Sequence, residues 1–195
     1  MMDTVFQGVF SEYTVKDIGF KAENANAYVN VDGAGSASEE YERRTVTKAK
    51  SNVVVKRISR QSGSGTLSLS LHMPRALYNT VQGMVTGSDG ALATGVSGLK
   101  GIMKLPMVEI VMKVEDEDGD VKYKYYPSAV SASFSRSVDS EADEVAEVDM
   151  TFNLSTDAYG MIMYEALASE LPTSGALTAS TWMTAASSAL MQQSA

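Results

Sequence analysis

The sequence predicts a mainly β protein: an antiparallel β-sandwich or partly open barrel with one short flanking α-helix and a long extended loop. Three stretches carry this reading. Residues 66–73, TLSLSLHM, alternate with Leu67, Leu69, Leu71 and Met73 on one side and Thr66, Ser68, Ser70 and His72 on the other, the period of a half-buried strand. Residues 107–126 read as two strands around EDEDGD, where Asp118-Gly119 is a strong turn pair. Residues 129–155, AVSASFSRSVDSEADEVAEVDMTFNLS, form a second two-faced hairpin.

Totals bound the rest. At 195 residues the chain fits one domain, or one domain with a tail, and 44% hydrophobic content supplies a core. We divide it into a β domain over 1–170, with an extended arm at about 33–60, and a C-terminal tail or arm over 171–195. The net charge of −8, from 16 basic and 24 acidic residues, argues against a protein that wraps duplex DNA, which needs a basic face to displace counterions. With no cysteine, disulfides and thiolate metal sites are excluded. The opening MMDTVFQGVFSEYTVKD has early acid and no long apolar run, so it is not expected to be a signal peptide. No stretch nears the roughly 18 apolar residues of a membrane span.

Along the chain, YVNVDG (28–33) reads as a strand into a turn. Residues 33–60 are mixed in charge with a β-rich Val53–Ile58 end, and read as an extended loop or protruding hairpin. QSGSG (61–65) reads as a turn or loop. A short helix is expected over 74–82, with Pro74 at its start, Leu77, Tyr78 and Val81 on one stripe, and Gly83 as C-terminal cap. Gly-rich 83–101 is loop. The returning strand sets Val121, Tyr123 and Tyr125 against Lys122, Lys124 and Tyr126. In the second hairpin Val130, Ala132, Phe134 and Val138 oppose Ser131, Ser133, Ser135 and Ser137. Val148, Met150, Phe152 and Leu154 then oppose Glu147, Asp149, Thr151 and Asn153. Residues 174–195 read as a loose helix carrying Trp182 and Leu190, or a flexible tail.

Catalytic readings are weak. His72 is the single histidine and no G-x-S-x-G elbow accompanies it, so a hydrolase using it is a distant reading. EDEDGD lacks the later bidentate Glu of a calcium loop and reads as a solvated turn. Glu147 and Asp149 have no aromatic cluster beside them to hold a sugar. Gly83–Gly101 lacks a phosphate-loop motif. No catalytic, cofactor-binding or metal residue is assigned, and no cofactor.

The order of segments resembles the major tail protein, or tail tube protein, of long-tailed, non-contractile bacteriophages. The stretches that carry the resemblance are GTLSLSLHMPRALYNTVQGM (65–84), LPMVEIVMKVEDEDGDVKYKYYPSAVSASF (105–134) and EVAEVDMTFNLSTDAYG (144–160). The resemblance implies a β-sandwich flanked by a helix. It implies hexameric rings stacked into a tube, with strands from each subunit lining a bore for DNA ejection. It implies no catalytic residue. It implies a reaching loop at 33–60, itself and other tail proteins (tape measure, tail terminator, distal tail) as partners, no membrane, and a place in the virion tail after synthesis in the host cytoplasm.

A DNA conduit must not hold DNA, and lysine-lined walls gain affinity through counterion release. Ser68, Ser70, His72, Ser131, Ser133, Ser135, Glu147, Asp149 and Thr151 are therefore the expected lumen-facing residues. Glu39, Glu40, Glu42, Arg43, Arg44, Lys48 and Lys50 are the expected inter-subunit arm. Deleting 36–60 is expected to leave a folded monomer that does not polymerise. The other reading is a carbohydrate-binding or adhesive β-sandwich, which needs an exposed aromatic patch and has Tyr123, Tyr125 and Tyr126 to offer.

Overall fold

The computed structural model describes residues 12–32, 34–50, 53–87, 92–136 and 147–192, and at Tyr13, Asp32, Ala34, Val46, 48–50 and 53–57 it describes the backbone only. In chain order the elements are β1 (Glu12–Ala22), β2 (Val29–Asp32), β3 (Ala34–Lys50), β4 (Val53–Leu71), α1 (Arg75–Val81), β5 (Val85–Thr86), β6 (Ser97–Gly98), β7 (Met107–Asp116), β8 (Val121–Arg136), β9 (Val148–Ser155), β10 (Tyr164–Leu167) and α2 (Trp182–Ala185).

Eight strands form one antiparallel sheet in the order β2-β1-β7-β8-β9-β4-β3, with β10 also on β8. It is mainly β and does not close into a barrel. The sheet folds over on itself through β8. Residues Val121–Val130 of β8 pair with β7, whereas Ala129–Arg136 pair with β9. Between them the β7 ladder jumps from Val108↔Ala129 to Ile110↔Tyr126. Pro127 sits in that bulge, a place where its missing N–H breaks no ladder bond.

The two halves press their apolar faces together. Ile18 and Phe20 of β1 and Ile110, Met112 and Val114 of β7 meet Leu67, Leu69 and Leu71 of β4 and Val148, Met150, Phe152 and Leu154 of β9. Phe20 and Phe152 touch across the middle, with ring centroids 6.0 Å apart. Each such side chain contributes about 1.5–3 kcal/mol on burial.

α1 closes the layer with Leu77 and Val81 in the same core. Its end is a Schellman motif: Met84 N–H donates to Asn79 O and Gly83 N–H to Thr80 O, with Gly83 at φ 62°. That left-handed position favours glycine. Pro74 occupies the cap position rather than the first helical turn. Four residues, 117–120, join β7 to β8, and among them Gly119 at φ 86° takes the left-handed conformation. The Asp116 carboxylate accepts from the N–H groups of Asp118 and Asp120, so it serves its own loop.

Several expectations are corrected. β1 was not anticipated as a strand. Its ladder with β7 shifts between Glu12 and Thr14 and between Val15 and Asp17, which breaks the period-two pattern. Residues 61–65 are no turn but part of β4. Of the two readings of 33–60, extended loop or protruding hairpin, the hairpin is the one that forms, paired from Ala34↔Leu71 to Lys50↔Val53. β5 and β6 pair inside the 83–101 stretch read as loop.

The C-terminal stretch is no loose appendage over its described part. Trp182, on the four-residue α2, is buried against the outer face of the β7–β8 half with Val111, Tyr123 and Tyr125. Its ring stacks on Tyr123 at 5.7 Å and its Nε1–H donates to Lys124 O. Tyr28 Oη donates to Glu109 Oε2 and lies 2.8 Å from Ala186 O. No described helix is long and apolar enough to cross a membrane.

Candidate functional site

The core-turned side of β4 fixes what its other side can be. Leucine alternates with serine, so Leu67, Leu69 and Leu71 inward put Ser68 and Ser70 outward. Pairing then builds rows of directly opposed residues across four strands. One row runs Ser38, Ser68, Thr151, Ser133, and the next runs Ser36, Ser70, Asp149, Ser135. A third runs Glu40, Thr66, Asn153, Val130. The first two rows line a shallow hollow of about 350 Å³.

These three rows hold no lysine or arginine. Ser68 and Thr151 hydroxyls are 3.3 Å apart, Ser135 donates to Asp149 at 3.4 Å, and Ser70 donates to Glu147 Oε2 at 2.6 Å. His72 Nε2 stands 3.8 Å from Glu147 Oε1, both side chains well exposed. Short hydroxyls spent on one another and on carboxylates make a smooth surface with partial and full negative charge.

The structure brings together Ser68, Ser70, Ser133, Ser135, Asp149 and Thr151, with His72 and Glu147 at one end. It separates Ser131 from them. The β8–β9 ladder shifts between Ser131↔Phe152 and Ser133↔Thr151. The extra residue, Ala132, lets Ser131 point inward while Ser133 and Ser135 point outward. Ser131 is buried and bonded to the side-chain amide of Gln82 at the end of α1. The expected partition of Val130 and Ala132 onto the apolar row fails for the same reason, since Val130 opposes Asn153. Ser36 and Ser38 were missed, although their alternation with Ala37 and Glu39 in GSASEE was the available signal. Ser137, Val138 and the SEADE stretch (140–144) lie outside the described residues.

The arm residues divide. Glu39 points inward: its carboxylate accepts from Lys124 Nζ at 2.7 Å, Tyr126 Oη at 2.6 Å and Tyr41 Oη at 2.7 Å. Burial pushes the Glu39 carboxyl up, but those hydrogen bonds and the lysine charge outweigh it and hold it below the usual carboxylate range. Burial likewise pulls Lys124 down, and its bonds to Glu12 and Glu39 more than reverse this. Glu40 lies on the serine face. Glu42 accepts from Ser64 Oγ at 2.8 Å, at the joint where the ladder jumps from Tyr41↔Gly65 to Arg43↔Gln61.

Beyond that joint no further strand lies beside the hairpin among the described residues, because β9 pairs with β4 only from Ser64 on. Arg43 and Arg44 are exposed there. The side chains of Lys48 and Lys50 lie outside what is described. The charge is not mixed along this length: residues 43–60 carry seven basic residues and no acid, leaving nine basic against 24 acidic residues in the rest of the chain.

Among the described residues, β3 has β4 on one side and no strand hydrogen-bonded to the other, and β8 beyond Val130 pairs with β9 alone, so both borders of the serine face lack a strand partner there. The aromatic patch that an adhesive module needs is absent at its proposed place, since Tyr123, Tyr125 and Tyr126 are 7%, 2% and 0% exposed. Among the described residues no three of His, Asp or Glu gather as metal ligands.

No family model matches the chain, and no curated protein does. Solved structures align with it over most of its length. The anti-feeding prophage cap (AFP tube terminating cap) covers 86% of this chain and 100% of its own at 13% identity and TM-score 0.47. A chain of the anti-feeding prophage baseplate covers 80% of this chain and 95% of its own at 12% identity and TM-score 0.43. A chain of the PVC sheath-tube complex, from an extracellular contractile injection system in its extended state, covers 77% of this chain and 88% of its own at 9% identity and TM-score 0.46.

Proposed function

We propose that the chain is a structural subunit that assembles side by side into rings and stacks into a tail tube through which DNA passes without being held. The observation that carries this reading is the serine face: four strands wide, free of basic side chains in its rows, and without a hydrogen-bonded strand at either lateral border among the described residues.

Unpaired borders invite strand addition. Within the face, β8, β9, β4 and β3 alternate in direction. Four is even, so β8 of one copy and β3 of the next, related by rotation about an axis along the strands, are antiparallel. The joint therefore repeats the pairing used inside the subunit. Such a contact is heterologous and closes into a ring if the rotation permits. Six copies per ring, passage of DNA, and partnership with tape measure, terminator and distal tail proteins follow from the resemblance in segment order. So do a place in the virion tail and synthesis in the host cytoplasm. The non-contractile assignment rests on that resemblance alone.

On this reading Ser36, Ser38, Ser68, Ser70, Ser133, Ser135, Asp149 and Thr151 face the bore, with His72 and Glu147 at its rim. The wall repels polyphosphate or leaves it without cationic partners. The basic hairpin 43–60 is the inter-subunit arm. At ~3.3 Å per residue, Arg43–Lys50 reaches about 25 Å past the joint, and the anionic surface available to it is another copy. Negative-stain electron microscopy of concentrated purified protein tests the whole: tubes of stacked rings are expected, and monomers or closed dimers at every concentration overturn the proposal.

A further inference from the structure

The ladder of the arm sets like charges face to face. Arg44 is directly opposed by Arg60, and Lys48 by Lys56. Midway between these rungs stands Val46↔Ile58, and period two puts all three rungs on one face of the ribbon. Like charges opposed across a ladder destabilise it, and a two-stranded hairpin is marginal in water without further partners. Arg43, Arg44 and Arg60 are exposed. Among the described residues no carboxylate pairs with any of them. An anionic surface laid against this face would turn two repelling rungs into bridged ones.

The chain carries such a surface at the far end of the same strands. β4 runs from the arm to Leu71, which opposes Val148 of β9, and Val148 in turn opposes Arg136 of β8. Glu147 stands at that end with its side chain 43% exposed, and Asp149 is exposed beside it. Among the described residues these carboxylates meet the Ser70 and Ser135 hydroxyls and, at 3.8 Å, the His72 ring, but no lysine or arginine. Every charged residue after Arg136 is acidic, nine in all.

We propose that the basic ribbon of one copy docks on the Glu147–Asp149 end of a copy in the next ring, so that all arms point one way along the tube. This rests on the ring reading above and names the surface its arm takes. A second copy is the occupant because the charges complement, and because arm and seat lie at opposite ends of one set of strands. The acidic β7–β8 turn does not serve. β8 runs from that turn to Arg136, which places the turn at the arm's own end. A contact between two different patches at opposite ends leaves one of each unfilled after every addition, so it extends without closing. It also covers seven positive charges that would otherwise hold DNA at each junction.

Zero-length carbodiimide coupling reads the contact, because it joins only carboxylates and amines that already touch. In tubes mixed from light and heavy-isotope protein, Lys48, Lys50 or Lys56 should couple to Glu147 or Asp149 of a different copy. In dilute monomer they should not. Coupling to Glu117, Asp118 or Asp120 instead would overturn the proposal. Arg44→Glu with Lys48→Glu sets opposite charges face to face in both rungs, so the unfolding midpoint should not fall. The assembly threshold of that variant should still rise about tenfold, as charges removed from an interface raise it. Raising salt from about 0.1 M to about 1 M shortens the Debye length from about 10 Å to about 3 Å and should raise the wild-type threshold likewise. Binding of a labelled duplex by wild-type monomer, lost in the variant, would overturn the seat by making the arm a nucleic-acid ribbon. Tubes that lack the coupling and ignore salt would sink the seat and leave the tube standing. Absence of tubes would sink both.

Discussion

Lys124 Nζ lies 2.7 Å from Glu39 Oε1 and 2.7 Å from Glu12 Oε1, with the lysine side chain 6% exposed. One cation thereby ties β8 to β1 and β3 inside the root of the arm. Removing one partner of a buried ion pair costs about 3–5 kcal/mol because the remaining charge stays buried. Lys124→Met should lose most of that, read as a lowered urea midpoint at neutral pH.

The same cluster sets a pH dependence. The folded Glu39 carboxyl sits below its unfolded value, so its contribution is present above the ordinary carboxylate range and lost as pH falls through the folded value. Lys124 sits above its ordinary value, so its contribution persists through neutral pH and is lost only in strong base. The stability of Glu39→Gln should therefore fall less than that of the wild type between pH 6 and pH 3, in paired chemical melts, pH values chosen to span about the carboxylate range.

Trp182→Ala should destabilise the protein by about 3–5 kcal/mol, the range for emptying a buried aromatic site. Limited proteolysis should then cut within 171–192 first, because the stack on Tyr123 is the main apolar anchor of that stretch. An unchanged midpoint would mean the packing contributes nothing.

Ser68→Lys with Ser133→Lys should leave the midpoint within about 0.5 kcal/mol, as surface changes do. It should create affinity for duplex DNA, with a log–log salt slope near −1 to −2 from about one released counterion per contact. Fluorescence anisotropy with a labelled duplex reads both, and no gain of binding would refute the neutral-wall argument.

Deleting 36–60 would remove Glu39 from Lys124 and Ser36–Tyr41 from the sheet, so the cut must be shorter. Arg43 and Gln61 oppose one another, and Asn-Gly in place of 44–60 fits a two-residue turn between them. This variant should fold with a wild-type midpoint and form no tubes. Tubes of ordinary length would remove the arm from the assembly.

Much of this was legible in the chain. Leu67, Leu69 and Leu71 named the core side of β4, and Val148 to Leu154 that of β9, because regular pairing preserves alternation. The misses have physical causes. Bulges at Tyr13 and Lys16 scramble the period of β1, and the extra residue at Ala132 changes the side of Ser131. Lys124 and Glu39 are 85 residues apart, so local pattern could not pair them. Trp182 sits among small uncharged residues whose packing depends on a surface formed elsewhere.

The β8–β9 ladder counts rungs, not residues. From Ser131 to Arg136 it pairs with Phe152 back to Val148, and Ala132 belongs to no rung. Removing Ala132 would leave every opposed pair as it stands and cost only the local bend. Removing Ser133 would let Ala132 take its rung, whereas removing Phe134 or Ser135 would re-letter the strand, turning serine toward the core or Phe134 or Arg136 toward the bore. Single-residue shortening of this strand is thus absorbed only at its bulge, at the border between its two faces.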